Sequence, residues 1–268
     1  MQAEPSTSDL ADKARFASSI ARQAGALALE RFRTPVTIET KEDASPVTEA
    51  DRAAESLLRR EITRQYPEHG ILGEEYGTSG SPEGSLWVVD PIDGTRSFIT
   101  GWPIWGTLVA YLENGRPLVG AIDLPALGEH FVGITGDGAT FRDSRGEEHP
   151  CRVRDVTRLD RARFYTTSPR YFGSTDRSAI DRLVDSAAVA RFGGDCYGYL
   201  LLAAGHLDLV VESQLEPYDY MALVPVIEAA GGIITDWAGA PLTLASDGRV
   251  VAAATPALHA EARALLGG

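Results

Sequence analysis

Only two cysteines and two methionines stand in 268 residues. So few thiols exclude a disulfide framework and fit a reducing compartment. Cys151 and Cys196 form no CxxC pair, and His69, His130, His149, His206 and His259 are scattered without the ligand spacing of a zinc site. No run of about 18 apolar residues offers a membrane span. The polar N-terminus has no basic-then-apolar export pattern, so the cytoplasm is the expected compartment. Positive charge is also scarce: 25 Lys and Arg against 38 Asp and Glu leave a net charge of −13. Without a basic stripe to neutralise phosphates, nucleic-acid and anionic-membrane binding are excluded. Arg170 and Arg191 stand isolated, so nothing clusters for a second phosphate group on a ligand.

What is present is ordinary for a globular chain, 44% hydrophobic and 24% charged, and long enough for a substantial core. Most of the acids are expected on a solvated surface. A protein this acidic can act on a phosphate only by recruiting cations that reverse the local field.

The spacing predicts a long helix over 8–32 and a second from a capping box at Thr48-Glu49-Ala50-Asp51 to about Tyr66, stopped by Pro67. A short strand and turn then carry Glu74, and 86–90 form a buried strand. Strands at 105–113 and 117–124 meet at Asn114-Gly115, a hairpin signal, and a second hairpin turns around Gly136-Asp137-Gly138. No helix pattern follows those glycines, so they make a plain turn rather than a nucleotide loop. After Cys151 strands and helices alternate: strand 164–167, helix 176–187, strand 189–192, helix 196–204 and strand 207–212. Asp219 opens a helix that Pro225 should kink and Gly231-Gly232 should end. Two strands within 232–254 and a helix over 255–266 finish the chain. The expected division is an N-terminal α+β domain, 1–145, and a C-terminal α/β domain, 146–268.

The decisive run is Trp87-Val88-Val89-Asp90-Pro91-Ile92-Asp93-Gly94-Thr95. An apolar strand delivers two carboxylates three residues apart, and a Gly-Thr turn opens a short helix. Carboxylates at that spacing suit hard divalent cations, and exposed N–H groups of Gly94 and Thr95 can cradle an oxyanion. Asp, Pro and Gly also make ordinary turns. Gly73-Glu74-Glu75 upstream and Pro217-Tyr218-Asp219 downstream supply two further acidic stations, as a two-metal site needs. Metal and phosphate in one turn point to phosphoester chemistry.

Together with Glu228-Ala229-Ala230-Gly231-Gly232, these motifs resemble the inositol monophosphatase superfamily over essentially the whole chain. The resemblance implies a layered αβαβα sandwich of mixed α+β and α/β character. It also implies two or three Mg²⁺ ions with Mn²⁺ as a substitute, lithium sensitivity and a homodimer acting on a small-molecule phosphate ester. By the same resemblance, Glu74, Asp90 and Asp93 are metal ligands with the Ile92 carbonyl, Asp219 closes the second metal position, and Asp43 touches a third. Asp93, Gly94 and Thr95 would face the phosphate, with Glu74, Asp93 and Thr95 as the catalytic group. Many relatives have Trp-Asp where this chain has Tyr218-Asp219, which leaves the ligand intact.

Substrate choice falls to Asp195, Glu212 and Asp219. Two acids beyond the phosphate would suit a cationic leaving group, and histidinol phosphate is such a molecule whereas inositol is neutral. An ordinary helix cap for Asp195 and a solvated strand end for Glu212 are the plainer readings. The run from Gly94 to Thr107 and Gly193-Gly194-Asp195-Cys196-Tyr197 also resemble the histidinol-phosphatase branch. Trp102 and Trp105 are expected in the core or pocket wall. The alternatives are an inositol-1-phosphatase or broad sugar-phosphate phosphatase and, from another class, a metal-stabilised dimeric binding protein without turnover.

Overall fold

A computed structural model of the chain describes residues 5–35, 37–40 and 46–267. The expected third-metal residue, Asp43, lies outside the described residues. The first half runs α1 (Thr7–Leu29), β1 (Ile38–Thr40), β2 (Pro46–Thr48), α2 (Glu49–Gln65), β3 (Gly70–Gly73), β4 (Gly77–Ser79), β5 (Ser85–Asp93) and α3 (Thr95–Ile99). Four strands follow in meander, β6 (Gly106–Glu113), β7 (Arg116–Leu124), β8 (Glu129–Ile134) and β9 (Gly138–Arg142), then β10 (Glu148–Pro150). The second half runs β11 (Arg163–Thr166), α4 (Ser174–Ser186), β12 (Val189–Phe192), α5 (Asp195–Ala203), β13 (Leu209–Glu212), α6 (Pro217–Tyr220) and α7 (Leu223–Ala229). β14 (Ile233–Thr235), β15 (Val250–Ala253) and α8 (Pro256–Leu266) complete it.

The large sheet has the order β10-β9-β8-β7-β6-β5-β3-β4, antiparallel except where β3 meets β5. The small sheet has the order β12-β11-β13-β15-β14, parallel through its first three strands. α1 and α2 bury Ala17, Ile20, Ala21, Leu58 and Ile62 against Trp87, Val109 and Val119 on the outer face of the large sheet. α5 and α7 lie between the sheets, where Leu200, Val226 and Ile227 meet Leu108, Ile122 and Val210 in one continuous core. α4 and α8 cover the far face of the small sheet with Ile180, Leu183 and Leu258. The layers therefore read αβαβα.

The local signals act as their chemistry requires. Thr48 and Asp51 form the capping box of α2, and Asn114 and Gly115 both take positive φ in the hairpin between β6 and β7. Ser18 Oγ lies 2.7 Å from His130 Nε2, and His130 Nδ1 lies 3.1 Å from Asp123 Oδ1, tying α1 to the large sheet. Ser18 sits mid-helix, where the backbone N–H groups are spent on the helix itself, so this line anchors rather than catalyses.

The expected single helix from Asp219 is corrected. α6 begins at Pro217, and the helix breaks at Met221-Ala222 before α7. Pro225 has no N–H to give the Met221 carbonyl and its ring crowds that group, so one backbone bond is lost while Met221 and Ala222 keep helical dihedral angles, in line with the expected kink. β1, β2, β4 and β10 were not expected; each has three residues, too few to show an alternating pattern.

Candidate active site

Side chains three apart on a regular strand leave on opposite faces. β5 avoids this with a bulge: Asp90 pairs with Leu108 and Asp93 with Gly106, three residues advanced against two. The Thr107 hydroxyl donates to the Pro91 carbonyl at 2.8 Å inside the bulge, and the Ile92 N–H donates to Asp90 Oδ1 at 3.0 Å. Asp219 comes from the other half of the chain. It is the third residue of α6 and accepts the Glu216 N–H at 2.7 Å in a capping box. Carboxylate oxygens of Asp90, Asp93 and Asp219 lie within 4.8 Å of one another.

Glu74 reaches the same cavity from the turn after β3. That turn is held from beneath by Glu55, which is fully buried, ion-paired to Arg59 at 2.7 Å, and accepts the N–H groups of Glu75 at 2.7 Å and Tyr76 at 3.2 Å. A Cβ on Gly73 would lie 2.2 Å from Glu55 Oε1, so only glycine fits there.

Crowding these acids has an electrostatic consequence. Burial, followed by the charges of Glu74, Asp93 and Asp219, holds Asp90 well above the usual carboxylate range. Burial and then Asp195 push Asp93 up to about 7, against the Cys196 N–H that donates to its Oδ2 at 2.7 Å. Burial and then Asp93 raise Asp219. Buried acids this close either keep protons or share cations, and an all-oxygen donor set suits Mg²⁺ or Mn²⁺ rather than zinc. Glu74, Asp90, Asp93 and Asp219 thus fit the metals of the resemblance. The Ile92 carbonyl accepts the Thr95 hydroxyl at 3.2 Å.

Gly94 caps α3 in the left-handed region at φ 82°. Thr95 follows, and its hydroxyl also lies 3.4 Å from Asp51 Oδ1. Asp51 is the site residue that the sequence reading missed. Its Oδ2 accepts both the Thr48 N–H at 2.8 Å and the Thr48 hydroxyl at 2.5 Å, leaving Oδ1 for Thr95. Burial raises its pKa, with Glu74 adding to the effect. The capping box accounted for Asp51 completely in the sequence; only the fold shows that its second oxygen faces the site.

The cavity, about 220 Å³, takes in Glu74, Asp93, Gly94 and Thr95 and is lined also by Thr167, Tyr171, Asp195, Tyr199 and Glu212 among others. Glu212 is 3% exposed and accepts the Thr167 N–H at 2.5 Å, which removes the solvated strand-end reading. Burial pushes its carboxyl up to about 8. Asp195 is the first residue of α5, but its carboxylate accepts the Ser97 hydroxyl at 2.5 Å and caps nothing. The Tyr199 hydroxyl is buried and has no partner among the described residues. Trp105 is in the core as expected. Trp102 is corrected: 46% exposed, it lies on the surface over Gly193, where the absent side chain leaves it room.

The chain matches a model of the inositol monophosphatase family over residues 9–267. It is 41% identical to the bifunctional phosphatase IMPL2, chloroplastic, of Arabidopsis thaliana over 97% of this chain and 76% of that one. A histidinol-phosphatase of Chlorobaculum parvum is 36% identical over 89% of this chain and 91% of its own. Among solved structures, an inositol monophosphatase from Zymomonas mobilis superposes with a TM-score of 0.87 at 40% identity, covering 98% of this chain and 100% of that chain.

Proposed function

Because the chain belongs to the inositol monophosphatase family of metal-dependent phosphatases, we propose that its substrate is L-histidinol phosphate, hydrolysed to L-histidinol and phosphate. The observation that carries this reading is a pair of acids lining the cavity outside the metal cluster, Glu212, which is buried, and Asp195, which is half-buried against Gly94. A neutral polyol gives such carboxylates no compensating charge, whereas an ammonium and an imidazolium do. The likeness to a histidinol-phosphatase supports the same substrate.

Mg²⁺ held by Glu74, Asp90, Asp93 and Asp219 would supply the positive field that stabilises charge on the phosphoryl group and makes a water more acidic. The Gly94 and Thr95 amides hold non-bridging oxygens at the start of α3. Thr95 Oγ takes a proton from the attacking water while its own proton passes to Asp51 Oδ1, whose raised basicity suits the role. Glu74 orients that water for in-line attack.

The test compares kcat/KM with Mg²⁺ for histidinol phosphate and inositol 1-phosphate. Two charge contacts predict a preference of about a hundredfold for the cationic ester, and Asp195→Asn or Glu212→Gln should each erode it. Comparable or reversed rates would discard the substrate while leaving the phosphatase. The inositol monophosphatase likeness favours that second reading, a phosphatase of inositol or sugar phosphates.

The same proposal includes a second copy as partner. Val189 and Phe192 on β12, and Trp102 over the adjoining Gly193, are each about half exposed at a sheet edge that is unpaired among the described residues, the kind of edge that proteins cover. Light scattering should give twice the chain mass of 28.7 kDa, and Phe192→Asp should shift it towards the monomer. A wild-type monomer at micromolar concentration would refute the pairing.

A further inference from the structure

Asp195 occupies an unusual backbone state. It takes φ 45°, a region non-glycine residues seldom hold, while its neighbours Gly193 and Gly194 are glycines at positive φ too. Strain of this kind persists where the surroundings over-determine it, often at functional positions. The surroundings here are specific. Asp195 Oδ2 accepts the hydroxyl of Ser97, a residue of α3 that is 5% exposed. The same oxygen is pressed against the phosphate turn, since a Cβ on Gly94 would lie 2.9 Å from it. One residue on, the Cys196 N–H binds Asp93 Oδ2. The start of α5 is thus clasped at two points to the segment that holds phosphate.

A carboxylate beside a phosphate cradle repels the phosphate unless the ligand brings a cation to the same place. Ser97 fixes Oδ2 and leaves Oδ1 for that cation. Because the carboxylate lies against Gly94, the cation must sit within a few ångströms of the ester oxygen. An amine on the carbon next to the ester carbon meets this condition when gauche to the ester oxygen. An amine one carbon further along is displaced from it.

We propose that Ser97 and Asp195 form one recognition unit for 2-aminoalkyl phosphates, Asp195 binding the ammonium and Ser97 positioning Asp195. Glu212, deeper in the cavity, is left for whatever group the rest of the leaving alcohol carries. The proposal rests on the reading of this cavity as a phosphomonoesterase site, and it holds for any 2-aminoalkyl ester, whether or not histidinol phosphate is the physiological one.

The experiment measures kcat and KM with Mg²⁺ for 2-aminopropyl, 3-aminopropyl and propyl phosphate, using the wild type, Ser97→Ala, Asp195→Asn and the double variant. The wild type should favour the 2-amino ester over propyl phosphate by about thirtyfold, with the 3-amino ester close to propyl phosphate. Asp195→Asn should bring that ratio near unity. Ser97→Ala should lower it by about fivefold, chiefly through KM, and should add nothing in the Asp195→Asn background. Equal preference for the 2- and 3-amino esters overturns the proposal. So does a Ser97→Ala variant that slows all three esters alike, or a double variant whose losses add. Turnover without amine discrimination removes the proposal alone; no Mg²⁺-dependent turnover of any ester removes the phosphatase reading beneath it.

Discussion

Asp93→Asn lowers kcat by about three orders of magnitude at ordinary Mg²⁺ and regains part of the loss as Mg²⁺ is raised, whereas Thr95→Ala loses about two to three orders without such rescue. The contrast follows from what each side chain touches. Asp93 shares a cluster with Asp90 and Asp219 and is held there by the Cys196 N–H. Asparagine keeps the size but removes a charge from the cation site and leaves that N–H facing an amide. The lost term is mainly cation affinity, which mass action can partly restore. Thr95 touches Asp51 and the Ile92 carbonyl, not the acidic cluster. Its hydroxyl handles a proton, and no concentration of Mg²⁺ replaces it. Mg²⁺ titrations of both variants with histidinol phosphate separate the roles. Equal rescue of both, or of neither, would mean that the division between cation holder and proton relay is wrong.

The sequence was most readable where the chemistry is local. Helical spacing, the Thr48 capping box and Asn114-Gly115 act within a few residues, and they marked α1, α2 and the β6–β7 hairpin. The site motifs were legible for a similar reason: Asp90, Asp93, Gly94 and Thr95 lie in one short run. What stayed hidden depends on partners far along the chain. The bulge that turns Asp90 and Asp93 to one side is a property of pairing with β6. Glu55 looks like a surface acid paired to Arg59 one turn away, yet it is buried beneath the Glu74 turn. Asp51 was hidden for the opposite reason, since a satisfied local motif removed any need for a distant role. The interruption at Met221 was visible in Pro225, which removes one backbone bond whatever surrounds it.

Buried acids also leave a signature that needs no substrate. In chelator, the protein should lose stability as pH rises from about 5 to 8, the reverse of a chain whose carboxylates are salt-bridged. Glu212 shows the sign. Its carboxyl lies at about 8 in the folded protein against an ordinary 4.5, so the folded state keeps a proton that the unfolded chain releases above 4.5. Protonation therefore favours folding throughout that window, and each such group removes about 1.4 kcal/mol per pH unit as the window is crossed. Asp93, pushed up to about 7, acts in the same direction over a narrower range, and Asp90 and Asp219 are raised too. The summed loss between pH 5 and 8 should reach at least a few kcal/mol, read as a falling urea midpoint. Mg²⁺ should reverse the part owed to Asp90, Asp93 and Asp219, so it raises Tm more at pH 8 than at pH 5. Glu212→Gln separates the remainder: its metal-free form should be more stable than the wild type at pH 8, with the difference shrinking towards pH 5. A metal-free wild type whose midpoint is flat or rising over this range would show that the acids are solvated or paired, and the cation site and the Glu212 pocket would both lose their physical basis.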